Sequence, residues 1–165
     1  MAKKICNIVL IVGGLLALVG ATVAGMNLAL RTNMPVSAFY AMAILACISA
    51  IMLLVGGIGV LAFAFKTADA KKGRALAGAV ARMVFGVAAF VGQFLINPFT
   101  SENAMLRTIE FYTKTVSGKI PNGSNLEANL LTTALVGFHI IAVSGFVLLI
   151  MGMEGIASKK NKSAQ

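Results

Sequence analysis

The chain is poor in charge, and acidic residues are the scarcest charged type. Only 12% of its 165 residues are charged, with 5 Asp and Glu against 14 Lys and Arg, whereas 59% are hydrophobic. A mean hydropathy of +0.92 is far above that of a soluble globular domain of this size, so the apolar surface must face lipid. In a soluble protein the net charge of +9 would suggest nucleic acid, but here the basic residues form short clusters between apolar runs. No nucleic-acid partner is expected.

Cysteine and histidine are also scarce. The two cysteines, Cys6 and Cys47, fall within or at the edge of apolar runs, so no disulfide framework is indicated. The CxxC, HExxH, GxSxG and P-loop patterns are absent, which leaves each of the usual enzyme classes without its required groups. We therefore expect no enzymatic activity, no metal site and no cofactor.

Four long apolar runs predict four transmembrane helices. The first, 5–30, would be about 39 Å long as a helix, enough to cross a hydrocarbon core of about 30 Å. It is too long for a signal-peptide core, so we interpret it as a retained span. The other spans are predicted at 36–65, 77–96 and 130–153. The expected fold is an all-α tetraspan domain in which the spans form two antiparallel hairpins.

Two polar segments separate the later spans. Segment 66–76 is basic and is predicted to be a cytoplasmic hinge between the hairpins. Segment 97–129 is predicted to be the outer loop between spans three and four, and it contains apolar residues at spacings of four, three and four. This spacing is typical of a short amphipathic helix that lies on the membrane surface. The stripe consists of Met105, Ile109, Tyr112 and Val116.

Basic residues are concentrated on one side of the predicted spans. The side formed by the N terminus, the hinge and the C terminus carries ten basic and two acidic residues, whereas the opposite side carries four and three. The positive-inside rule therefore predicts that both termini and the hinge are cytoplasmic. The hinge cluster either only fixes this topology, the simpler interpretation, or also binds anionic lipids at roughly 1 kcal/mol per residue. Its members are Lys66, Lys71, Lys72, Arg74 and Arg82.

Three polar residues inside the spans are candidates for function. Arg82 lies about one and a half turns inside span three, where we expect its side chain to snorkel to the interface rather than act as a buried functional arginine. His139 is the only histidine, and no second histidine or carboxylate in the apolar zone completes a metal or haem site. We favour a packing histidine hydrogen-bonded to Gln93 over a cofactor ligand.

Small residues recur every fourth position along span one and predict a stripe for close helix packing, although glycine and alanine are common in membrane helices in any case. The stripe consists of Gly13, Ala17, Ala21 and Gly25. Two residues are candidates for modification. Asn122 begins an Asn-Gly-Ser glycosylation pattern that is equally a plain turn, and Cys6, beside two lysines at the cytoplasmic edge, is a candidate for palmitoylation.

In layout, with four spans and a larger second outer loop, the chain is similar to tetraspanins, claudins and MARVEL-domain proteins. The second outer loop has no cysteine and the chain has no tryptophan, so the tetraspanin Cys-Cys-Gly and claudin Gly-Leu-Trp motifs are absent and no functional residue carries over. We expect a non-enzymatic structural or accessory subunit, or an organiser, that assembles with other membrane proteins or with copies of itself. The alternative is a small oligomeric channel or carrier for a neutral or anionic solute.

Overall fold

Four α-helices account for nearly all of the described chain. The computed structural model describes residues 2–30, 35–66, 73–96 and 125–160. By length and composition, each helix is able to cross a membrane, which confirms an all-helical chain with the character of a multi-pass membrane protein. The helices are α1 (Ala2–Leu30), α2 (Val36–Lys66), α3 (Gly73–Ile96) and α4 (Asn125–Lys160).

The helices extend beyond the predicted spans. The helix α4 begins at Asn125 and ends at Lys160, so residues 125–129, assigned to the outer loop, are helical, as are the residues that follow the predicted end at 153. The helix α3 begins at Gly73, inside the predicted hinge. Hydropathy marks only the part of a helix that lies in hydrocarbon. At 1.5 Å per residue the 36 residues of α4 span about 54 Å, well beyond a hydrocarbon core of about 30 Å.

The helices pack as a ring in which α1 and α3 each contact both α2 and α4. On α1 the contacts with α2 run in opposite residue order, since Leu10 lies against Gly56 while Gly13 lies against Leu53. The contact across the ring, between α2 and α4, is smaller. It includes the edge-to-face pair of Phe39 and Phe138, whose ring centroids are 6.3 Å apart at an interplanar angle of 77°.

Glycines set the distance between α2 and its two neighbours. A Cβ added to Gly20 of α1 would lie 2.8 Å from the carbonyl oxygen of Met42, and one added to Gly86 of α3 would lie 2.7 Å from the carbonyl oxygen of Leu53. Both distances are shorter than real Cβ contacts, and in both cases the neighbouring atom belongs to the backbone. These two interfaces therefore require glycine.

The helix α4 meets its neighbours in the same way. A Cβ on Gly14 of α1 would lie 2.6 Å from the carbonyl oxygen of Gly145, and one on Gly137 would lie 2.8 Å from the carbonyl oxygen of Gly92 on α3. Every interface of the ring thus contains a glycine that a neighbouring backbone approaches closely. Such contact replaces the hydrophobic effect, which does not drive association between helices surrounded by lipid tails.

The interior of the ring is filled by apolar side chains, and larger apolar side chains cover its outside. Many buried positions hold alanine, with leucine or isoleucine between them, as at Leu10, Leu53, Ile141 and Leu148, each of which is fully buried. Outward positions on all four helices hold valine, isoleucine, leucine or phenylalanine. The described bundle therefore has a solid core and a surface suited to lipid.

Replacing Gly86 with alanine is expected to destabilise the bundle, because the new methyl group meets the backbone of α2. We expect a cost of roughly 1–3 kcal/mol, typical of overpacking, and a lower unfolding temperature in detergent. A thiol-reactive fluorophore that reports exposure of the buried Cys47, used in a Cys6→Ala background, measures this temperature. Gly73→Ala is the matched control, since a Cβ there meets no described residue within 4 Å. Equal unfolding temperatures for the two variants would contradict the role of close backbone approach.

Candidate functional site

Two sites in the described part of the bundle contain polar side chains that are candidates for function. One is the arginine bridge, defined as Arg82 with its two hydrogen-bond acceptors, and it lies near the ends of the helices that carry the basic residues. The other is the His139 cleft, an open groove between α1 and α4 near their opposite ends. The two sites are separated by the apolar core.

The arginine bridge joins α3 to α4. The Arg82 Nη1 donates to the carbonyl oxygen of Gly78 at 2.9 Å, and its Nη2 donates to the carbonyl oxygen of Met151 at 2.5 Å. Helical side chains point back toward the start of their helix, which places Arg82 over Gly78, where the missing side chain leaves room for the guanidinium. The charge of Glu154, one turn further along α4, attracts the guanidinium.

The bridge differs in part from the behaviour expected of Arg82. The side chain does point toward the basic end of α3, which is the direction that snorkelling requires. It ends, however, on a backbone carbonyl of α4, and its buried Nε has no hydrogen-bond partner within the described residues. The side chain is half-buried. It therefore contributes to holding two helices together instead of projecting wholly into the headgroups.

A second buried polar residue, Asn7, lies at the same end of the bundle and was not singled out by the sequence. It is 1% exposed, and its side chain lies so close to Gly155 of α4 that a Cβ there would be 2.7 Å away. Its Oδ1 has no hydrogen-bond partner among the described residues. An asparagine within a long apolar run was the available signal, since buried amides in membrane helices commonly sit at helix interfaces.

The His139 cleft has a volume of ≈ 120 Å³ and is open on the outer surface of the described bundle. The histidine is exposed, and its Nδ1 lies 2.7 Å from the carbonyl oxygen of Leu135 on the same helix. A carbonyl oxygen only accepts hydrogen bonds, so Nδ1 carries the proton and Nε2 presents a lone pair when the ring is neutral. The lining includes Thr22, Gly25 and Met26 of α1 and Phe138, His139 and Ala142 of α4.

The expected pairing of His139 with Gln93 is not formed. Gln93 lies on α3 and is buried, with 4% of its surface exposed, whereas His139 lies at the groove between α1 and α4. The partner of the histidine is the backbone one turn earlier in its own helix. Spacing along the sequence locates both residues at a similar depth but does not show which side of α4 each one meets. Ser144, another polar residue of this span, is buried.

The predicted small-residue stripe lies inside the bundle. All four residues are buried, but they do not meet a single neighbour. Gly13 lies against Met52 and Leu53 of α2, whereas Ala17 lies against Gly145 of α4 and Gly25 lies against Phe138. The sequence did not distinguish these positions from Gly14 and Gly20, where the neighbouring backbones come closest.

Other candidate residues are placed only in part. The Sγ of Cys6 lies against Gly59 of α2, so acylation would require this side chain to turn away from the helix interface. Lys66 is the last residue of α2 and is exposed, and Arg74 lies in the first turn of α3. The remaining candidates lie outside the described residues: Lys71, Lys72, Met105, Ile109, Tyr112, Val116 and Asn122.

Within the described ranges, no three side chains of the types His, Cys, Asp and Glu are grouped closely enough to hold a metal ion. The contacts observed at the two sites are hydrogen bonds and the attraction between Arg82 and Glu154. Compared with known proteins, the chain matches no family model, and neither a curated protein nor a solved structure resembles it significantly.

Replacing Arg82 with methionine is expected to weaken the joint between α3 and α4. Methionine keeps an unbranched side chain but removes both donors, and hydrogen bonds from charged groups contribute about 1.5–3 kcal/mol. Because the site is only half-buried, we expect a total loss of about 2 kcal/mol in the free energy of unfolding, measured by titration with SDS and circular dichroism.

Glu154→Gln is the control for this experiment. Glu154 is exposed, so removing its charge is expected to cost less than about 1 kcal/mol. An Arg82→Met protein that unfolds at the same SDS fraction as the wild type would show that the bridge does not stabilise the bundle.

Proposed function

We propose that this protein is a non-enzymatic integral membrane protein that acts as a structural or accessory subunit, or an organiser, of a membrane protein assembly. The observation that carries the proposal is the filled core. Leu10, Leu53, Ile141 and Leu148 are fully buried along the bundle, and the helices around them are in backbone contact. A solute path along one bundle would have to displace these side chains, so the bundle is better suited to packing than to conduction.

A partner would reach this bundle through its outer faces. Small residues that permit close helix approach are used inside the ring, where Gly14, Gly20, Gly86 and Gly137 meet neighbouring backbones. The outer faces instead carry bulky apolar side chains on every helix. Association of the whole bundle with other membrane proteins, or with further copies of itself, would therefore depend on shape matching between large side chains in lipid.

The proposal includes two antiparallel hairpins, α1 with α2 and α3 with α4. The opposite residue order of the contacts between α1 and α2 supports the first hairpin. Contacts of Gly92 with Gly137, and of Arg82 with Met151, run in opposite order in the same manner and support the second. Both helices of a hairpin would then present an outer face to a partner.

Tryptophan substitutions on the outer faces test the proposed assembly. Each of the four positions is a valine with at least 41% of its surface exposed, so a larger side chain leaves the core intact. Purified from native membranes in mild detergent, the wild type is expected to carry a stoichiometric partner or further copies, measured by native mass spectrometry. At least one substitution should release that partner without lowering the unfolding temperature. The variants are Val19→Trp, Val55→Trp, Val87→Trp and Val143→Trp.

The four variants serve as controls for one another, because a face outside the interface should tolerate the larger side chain. A wild-type protein that purifies as a monodisperse monomer with no copurifying chain would contradict the proposal. Solute flux through proteoliposomes that contain the protein alone would favour the channel or carrier.

We further propose that both termini and the segment between α2 and α3 are cytoplasmic. Contacts support one common end for the basic residues: Cys6, next to Lys3 and Lys4, meets Gly59 near the end of α2, and Arg82 meets Met151 near the end of α4. Basic residues near one end of a bundle are retained in the cytoplasm during insertion. Topology is then the main role of the hinge cluster.

Cysteine labelling tests this orientation. In a protein in which both native cysteines are replaced by alanine, Ala2→Cys should react with a membrane-impermeant maleimide only after the cells are permeabilised. The matched variant Ser117→Cys should react in intact cells. Both substitutions leave the charge distribution unchanged, so they do not bias insertion. Labelling in the reverse pattern would overturn the assignment.

A further inference from the structure

The His139 cleft combines apolar walls with hydrogen-bonding capacity that no described residue uses, at an outer surface of the bundle suited to lipid. With Nδ1 bound to the Leu135 carbonyl, the ring nitrogen Nε2 remains as an acceptor. The hydroxyl of Thr22, which both donates and accepts, lies in the lining of the same cleft. An acceptor in hydrocarbon has no water to satisfy it, so the cleft is best completed by a ligand that brings a donor.

From this arrangement we propose that the His139 cleft binds an uncharged lipid with a free hydroxyl group. A hydroxyl is able to donate to His139 Nε2 while it accepts a hydrogen bond from Thr22. Among the described residues, no ionised side chain lines the cleft, which favours an uncharged group over a phosphate or a carboxylate. This binding site is separate from the proposed assembly role and stands whether or not that role is correct.

The depth of the cleft agrees with a lipid hydroxyl. Thr22 lies eight residues before the end of α1 at Leu30, or about 12 Å along the helix. His139 lies nine residues after the start of the predicted apolar span at 130, or about 14 Å along α4. Both residues are therefore below the membrane surface and short of its midplane, which lies about 15 Å inside a hydrocarbon core of about 30 Å. A hydroxyl on a glycerol backbone or on a short polar head reaches this level when the lipid sinks into the groove below the headgroup layer.

The size of the cleft limits how much of the lipid it holds. A volume of ≈ 120 Å³ accommodates about four groups of the size of a water molecule, at about 30 Å³ each. This is enough for a hydroxyl and the first carbons attached to it, while the acyl chains remain in the bilayer. Phe138 closes the floor of the cleft, where it is 2% exposed and packs edge-to-face on Phe39. His139 could serve as the single axial ligand of a tetrapyrrole metal. The tetrapyrrole ring itself, however, would need a larger opening than this cleft provides.

Photolabelling with a diazirine-bearing diacylglycerol in phosphatidylcholine nanodiscs tests the proposal. Peptide mapping of the full-length protein should place the label on α1 near Thr22 and Met26 and on α4 near His139. Unlabelled diacylglycerol should compete. Its acetylated derivative, which has the same chains but no hydroxyl donor, should compete about tenfold less well, as expected for the loss of one hydrogen bond of about 1.4 kcal/mol.

Variants separate hydrogen bonding from shape. His139→Phe keeps a ring but removes Nε2, and Thr22→Val keeps the branched shape but removes the hydroxyl, so both should reduce labelling several-fold. His139→Gln, whose amide oxygen reaches about the position of Nε2, should retain most of it. Val143→Leu, on an exposed part of α4 outside the cleft lining, should label as the wild type does. Unfolding temperatures measured in parallel show whether a variant has lost labelling because it has lost its fold.

Three results would overturn the proposal. The first is equal competition by diacylglycerol and its acetylated derivative. The second is unchanged labelling of folded His139→Phe and Thr22→Val proteins. The third is a visible absorption band of a bound tetrapyrrole in the protein purified from native membranes, lost in His139→Phe, since the cleft would then hold a cofactor.

Discussion

The structure depends on the distance between helix backbones. In lipid, two apolar helices gain no hydrophobic free energy by associating, because the lipid tails around them are equally apolar. Dispersion forces fall off steeply with distance, so the helices associate only where their surfaces come into full contact. Here a glycine at each interface of the ring allows that contact, as Gly86 does against α2 and Gly14 does against α4. The alanines of the core follow from this spacing, since larger side chains would not fit where the backbones come closest.

The same spacing explains how the few polar groups are arranged. Where backbones come close, a side chain on one helix reaches the carbonyl groups of the next, as Arg82 reaches Met151. Asn7 is buried against Gly155 for the same reason. His139, in contrast, lies on the rim of an interface, where the seam between α1 and α4 opens into a groove. Polar groups thus hold the bundle together at one end and leave hydrogen-bonding capacity at the other.

Hydropathy was sufficient to predict four helices able to span a membrane, because an apolar run of that length rarely adopts any structure other than a transmembrane helix. It was not sufficient for their ends, since the helix that contains His139 continues at both ends into polar sequence that hydropathy assigns to loops. Nor did it identify contact partners. Gln93 and His139 occur at a similar depth, but the side of α4 that each one meets depends on the rotation of the helices, which no local pattern encodes. Repeated small residues indicated close packing on α1. Only the structure shows that a neighbouring backbone comes closer to Gly14 than to Gly13.

The seam between α1 and α4 has a consequence for biosynthesis. It joins the two described helices that are farthest apart in sequence, so α1 is inserted into the membrane well before α4 has been synthesised. Until then the side of α1 that carries Asn7 and Gly14 faces lipid or a chaperone of the insertion machinery. The amide of Asn7, which is buried in the complete bundle, is exposed at this stage. The ring therefore closes only after α4 has been synthesised. A nascent chain halted before α4 would present a polar, glycine-lined groove, which is the kind of surface by which quality control distinguishes an unfinished membrane protein from a finished one.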